Sequence, residues 1–175
     1  MIIFQTVFLS LFLLLLELLS GNFLISAGIP VYGAVYIYTA CGKKYGIISA
    51  LCCGMIIDAV YFRAYPVTPL IYLLILLLAG VVVNRYFRRR LPEAPIIGGA
   101  CIGGLLFFGN IITAKLYKTQ YMWPDPLSML ISQLAFGAVF MFLFTVLLDG
   151  LASRCKMAKF GAEIKNPGKT RGVRK

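Results

Sequence analysis

The chain has no histidine. Its absence removes the commonest general base and the commonest metal ligand at one stroke. Acidic residues number only six against seventeen lysines and arginines, and there is one tryptophan. None of the five cysteines (Cys41, Cys52, Cys53, Cys101, Cys155) forms a Cys-x-x-Cys pair, so small buried thiols are expected and a metal knuckle or redox pair is not. No glycine-rich phosphate loop is written, and no serine or cysteine has a histidine to activate it. The start, Met1-Ile2-Ile3-Phe4, lacks a basic stretch before its apolar run and a small-residue cleavage site after it, so a retained first span is expected and a signal peptide is not. These absences together predict a protein that is not an enzyme and carries no metal or cofactor.

What the chain has in abundance is apolar residues. Of its 175 residues 61% are hydrophobic and 13% charged, where a soluble domain carries about twice that charge. A membrane span needs about 20 apolar residues, so six spans nearly exhaust the length and leave no room for a separate soluble domain. Polar punctuation divides the sequence at about residues 2–19, 23–40, 45–62, 66–84, 96–117 and 126–151, with Pro30 able to kink the second span. The expected fold is all-α: a polytopic membrane protein with six transmembrane helices in one compact bundle over residues 1–151. Residues 152–175 are expected to form a basic, disordered cytoplasmic tail.

Charge location gives the orientation. With the N-terminus inside, fourteen of the seventeen basic residues fall on the inner side: Lys43 and Lys44, then Arg85, Arg88, Arg89 and Arg90, then eight from Arg154 to Lys175. Only Arg63, Lys115 and Lys118 fall outside, and the positive-inside rule therefore places both ends in the cytoplasm. A net charge of +11 on so apolar a chain points to the anionic inner leaflet of a membrane and not to nucleic acid. The arginines at 85, 88, 89 and 90 are the expected lipid contacts. Tyr117, Tyr121 and Trp123 read as an interfacial aromatic belt.

Three carboxylates lie within the apolar runs, where charge is costly and invites a functional reading. Glu17 and Asp58 fall in the outer thirds of spans one and three, and Asp149 falls at the inner end of span six. That separation argues against an intramembrane aspartyl dyad formed by Asp58 and Asp149, because such a dyad requires two carboxylates sharing a proton. A polar pair of Asp58 with Glu17 or Arg63 is expected, and Asp149 is expected to pair with Arg154 or the inner headgroups. Gly46, Ala50, Gly54 and Asp58 repeat every four residues, which puts three small residues and the carboxylate on one helix stripe. Gly99 and Gly103 offer a matching surface on span five. Asn110, Thr113, Ser132 and Gln133 add polar groups in the outer half, either as a shared pocket or as local helix-to-helix glue.

The stretch Gly54-Met55-Ile56-Ile57-Asp58, following Pro30, Gly42 and Gly46 and preceding a long apolar span with Tyr72 and Gly80, resembles the MreD family of rod-shape-determining membrane proteins. The resemblance covers roughly residues 28–90, with the arginine cluster as its basic cytoplasmic loop. It departs from the family at Tyr61-Phe62-Arg63-Ala64-Tyr65-Pro66, where a small turn and glycine are usual, and in its long basic tail. It implies a non-enzymatic component of the bacterial inner membrane, working in cell elongation and peptidoglycan synthesis beside MreC, MreB and the RodA glycosyltransferase with its transpeptidase. Asp58 is the position it carries over. An alternative of another class is the substrate-binding component of an energy-coupling-factor transporter for a vitamin or metal, which is similar in architecture. The outer polar residues Glu17, Asp58, Asn110 and Gln133 favour that alternative. The lack of any alanine before Ala27, where an Ala-x-x-x-Ala docking motif is usual, opposes it.

Overall fold

The computed structural model describes residues 2–20, 28–61, 65–88, 93–116, 126–154 and 160. Among these residues it is all-helical, with α1 Ile2–Ser20, α2 Ile29–Ala40, α3 Lys43–Val60, α4 Val67–Arg88, α5 Ala94–Leu116 and α6 Pro126–Arg154. Two of the helices, Ala94–Leu116 and Pro126–Ser153, are long and apolar enough to cross a membrane by length and composition.

Proline marks where helices begin. Pro30, Pro69, Pro95 and Pro126 all stand within the first three residues of α2, α4, α5 and α6. A proline there lacks an N–H that has no intrahelical acceptor in any case, and its φ is already helical. The kink expected at Pro30 is therefore replaced by a start. The helical part of the second apolar run is only Ile29–Ala40, and residues 23–27 lie outside the described residues.

α2 is the centre of the molecule. All twelve of its residues are buried, and it packs against α1, α3, α4 and α5. α6 reaches it through rings: Tyr32 meets Phe140 edge-on at 5.2 Å and Tyr36 meets Phe144 at 6.0 Å. The three phenylalanines 136, 140 and 144 stack along α6 at 5.4 and 5.5 Å, a four-residue repeat that matches the spacing of the two tyrosines. The order of these contacts makes α6 parallel to α2. Contacts of Gln5 with Cys41 and of Ser10 with Ser49 likewise make α1 parallel to α3.

Glycines set the close approaches. A Cβ on Gly46 would lie 2.5 Å from Tyr38 Cβ on α2, and one on Gly54 would lie 2.5 Å from Pro69 Cα on α4. The small-residue stripe of α3 thus serves two neighbours in succession. The sequence led us to expect Gly99 and Gly103 to match this stripe, and they do not. They face α6 instead, Gly99 against Gly137 and Gly103 against the Gln133 carbonyl. α2 and α3 are joined by Cys41 and Gly42 alone, and Gly42 takes φ 113°, a conformation that glycine adopts without a Cβ penalty.

The outward surface is apolar on the five helices around α2. Ile3, Phe8, Leu15, Met55, Leu70, Leu74, Phe108, Ile131 and Leu147 are among many large apolar side chains left exposed.

Candidate functional site

Glu17 stands three residues before the end of α1 and is 2% exposed. Its carboxylate accepts the backbone N–H of Gly28 at 3.2 Å through Oε1 and that of Ile29 at 2.9 Å through Oε2. The first N–H groups of a helix have no intrahelical acceptor, and they form the positive end of its dipole. α1 therefore supplies the cap that α2 lacks locally, since no side chain beside Gly28 caps it. Gly28 is required at that joint twice over. Its φ is 64°, and a Cβ would lie 2.6 Å from the Leu106 methyls of α5.

Asp58 repeats the arrangement on the next pair. It lies two residues before the end of α3, is 4% exposed, and accepts the Thr68 N–H at 2.9 Å through Oδ2. The Thr68 hydroxyl donates to its other oxygen, Oδ1. Thr68 is the second residue of α4, so the carboxylate again receives a helix-start donor. Gly54, one turn earlier, lets the backbone of α4 approach at Pro69 and brings Thr68 within reach. Because α1 and α3 run parallel, both carboxylates lie toward the same end of the bundle. The described bonds run from each to the helix that follows it. Arg63, the other partner expected for Asp58, lies outside the described residues.

Asp149 lies toward the opposite end, on the C-terminal side of α2. The side chain of Arg154, the partner the sequence suggested, lies outside what is described. Asp149 Oδ1 accepts the Tyr36 hydroxyl of α2 at 2.8 Å and the Phe160 N–H at 2.8 Å. Phe160 is buried, with its ring 5.9 Å from that of Tyr36. In all three cases a carboxylate near a helix end accepts a backbone N–H from ten to twelve residues further along the chain.

The remaining polar groups divide. Thr113 and Ser132 bond carbonyls of their own helices, at Gly109 and Ser128, and so serve neither as a pocket nor as glue between helices in these bonds. Asn110 Nδ2 and Gln133 Oε1 are buried without a hydrogen-bond partner. Asn110 follows Leu106 by one helical turn, on the face that meets Gly28, at the Glu17 end. Ser10 and Ser49 share a hydroxyl bond of 2.7 Å between α1 and α3. Lys43, Lys44 and Arg85 are exposed, while Arg89, Arg90 and the side chain of Arg88 lie outside what is described, as do Tyr117, Tyr121 and Trp123.

Sequence reasoning located Glu17, Asp58 and Asp149 but missed Gly28, Thr68, Tyr36 and Phe160. Signals existed: Gly28 lies two residues before the first-turn Pro30, Thr68 lies immediately before the first-turn Pro69, and Phe160 is the tail's one aromatic residue. Among the described residues no group of three or more His, Cys, Asp or Glu side chains could hold a metal ion. The fold and site together define an all-helical protein with two helices suited to crossing a membrane and with carboxylate joints between its elements. No protein family, curated protein or solved structure matches the chain.

Proposed function

We propose that the chain is a six-span protein of the bacterial inner membrane, with both ends in the cytoplasm, and that it acts as a non-enzymatic, MreD-like component of the cell-elongation complex. Its partners under this reading are MreC and the wall-synthesis membrane proteins. The exposed apolar side chains on five helices around an enclosed sixth support a lipid-embedded bundle, since soluble monomers rarely expose so much contiguous apolar surface. The one observation that carries the role is the Asp58–Thr68 joint. It sits within the stretch that resembles the family, and it gives that family's aspartate a task, fixing α3 to α4. Glu17 and Asp58 are engaged as acceptors for helix starts, an arrangement suited to scaffolding and not to proton transfer.

The test is complementation. Cells depleted of the protein should regain rod shape with the native chain. With Asp58→Ala they should stay rounded while the protein remains in the membrane. Normal shape at normal abundance sinks the reading.

A second reading has one specific observation behind it. Asn110 Nδ2 and Gln133 Oε1 are buried and unpartnered, as groups awaiting a small polar ligand would be. A transporter component that captures a vitamin would show a copurifying small molecule, or a rise in melting temperature on adding it.

A further inference from the structure

Two amide groups in the seam between α5 and α6 are enclosed and unanswered. Asn110 is 9% exposed, and its Nδ2 has no hydrogen-bond acceptor. Gln133 is half-buried, and its enclosed Oε1 has no donor. The two atoms are of opposite kinds, since the first only donates a hydrogen bond and the second only accepts one. Buried amide groups are paired with protein or with a bound molecule in the great majority of cases, because a bare one forfeits the hydrogen bonds it made in water.

The register of the seam brings the two toward each other. Gly99 packs on Gly137 and Gly103 on the Gln133 carbonyl, so the helices run antiparallel and Gln133 stands level with Gly103. Asn110 lies seven residues beyond Gly103, two turns along the same face and about 10 Å further along the axis. Side chains on a helix lean toward its N-terminus. In an antiparallel pair that direction carries Asn110 toward the level of Gln133 and Gln133 toward the level of Asn110, which narrows the interval from both sides. The two atoms still do not bond each other. Leu106 and Phe107 on α5 and Leu130 on α6 stand at the levels between them, and none has a polar side chain to offer. Neither amide carries a charge, and Glu17 at the same end already receives the N–H groups of Gly28 and Ile29.

We propose that Asn110 and Gln133 form a binding site for one neutral hydroxyl group, whose oxygen accepts from Asn110 Nδ2 and whose hydrogen is donated to Gln133 Oε1. An O–H both accepts and donates at a single atom, so one such group completes both bonds across the interval. A bare anion would leave Gln133 without a donor, and an ammonium group would leave Asn110 without an acceptor. The O–H belongs to a water molecule or to a small uncharged alcohol. The transporter reading rests on the same two groups, and the hydroxyl site gives it a ligand chemistry. Water as the occupant would keep the site and remove that reading.

The experiment uses the full-length protein purified in detergent micelles and labelled with nitrogen-15 in its asparagine side chains. The Asn110 Nδ2 protons, identified by their loss in Asn110→Leu, should show a cross-peak to an O–H proton in the native protein. The peak should persist in Tyr72→Phe, which removes the hydroxyl beside Ile71 where α4 meets Gly109. Asn110→Leu and Gln133→Met should each lower the melting temperature, and the double variant should fall no further than the worse single one, because a bridge is lost whole with either end. Losses that add overturn the site, and so does a rise on either single change, which is the result of removing a bare buried amide. Should a variant fail to fold, the native cross-peak decides: its absence, or its loss in Tyr72→Phe, overturns the site. Solvent extraction and mass spectrometry then separate the two sources. A neutral alcohol recovered in stoichiometric amount, and missing from Asn110→Leu, supports the site with an organic ligand. A cross-peak at the water frequency without such a compound supports it with water.

Discussion

Glu17 and Asp58 do from a neighbouring helix what an N-cap residue does from beside the first turn. An ordinary cap satisfies the donors of its own helix and says nothing about the next. A carboxylate reaching across from the preceding helix satisfies the same donors and also fixes the distance and angle between the two helices. Removing it leaves buried N–H groups without an acceptor, which costs about 1–3 kcal/mol. Glu17→Ala should therefore lower the thermal stability of the purified protein by that order, and Glu17→Gln, which still offers one acceptor oxygen, by less. Thr68→Val removes the hydroxyl but keeps the N–H, so its loss should be about 1 kcal/mol and smaller than that of Asp58→Ala. A cycle of the two changes should be clearly non-additive, because they share one bond network. Additive losses would separate Thr68 from Asp58. At this scale the sequence revealed the acceptors and hid the donors. A carboxylate in an apolar run is visible by its cost, whereas a backbone N–H belongs to every residue but proline, and only the fold selects Ile29, Thr68 and Phe160.

At the scale of elements the reading of the sequence went further. Five of the six apolar runs became helices within a few residues of their expected limits, because long apolar stretches broken only by charge or first-turn prolines leave little choice of structure. The pairing of helices was less legible. Small residues every four positions mark a face that permits close approach, yet the pattern carries no address. The α3 stripe met α2 and α4, and the glycines of α5 met α6. This contact gives a sharp comparison. A Cβ at Gly137 would enter the backbone of Gly99 and come 2.7 Å from the Tyr32 hydroxyl, while one at Gly150 would meet nothing within 4 Å. Gly137→Ala should push α5 and α6 apart and lower the melting temperature by several degrees. Gly150→Ala should leave it unchanged or raise it, since alanine favours the helix by up to about 1 kcal/mol. Equal effects at the two positions would contradict the packing of α5 on α6.

For the whole molecule the proposal of both ends inside rests on fourteen of seventeen basic residues falling to one side. Single cysteines placed at Lys44 and at Lys118 in a cysteine-free variant provide the check in intact cells. An impermeant thiol reagent should label position 118 and spare position 44, and the reverse pattern would invert the topology. The enclosed helix α2 adds a consequence for how the protein is made. Its 12 residues span only about 18 Å, well short of a hydrocarbon core of about 30 Å. As the chain leaves the ribosome, α2 and α1 emerge before the neighbours that will surround α2. Until α3 and α4 arrive the central helix has no complete lateral enclosure, and until α6 arrives Tyr36 has no Asp149 to receive its hydroxyl. The last helix thus completes the environment of the second, so a chain halted before α6 would leave the centre of the fold unfinished.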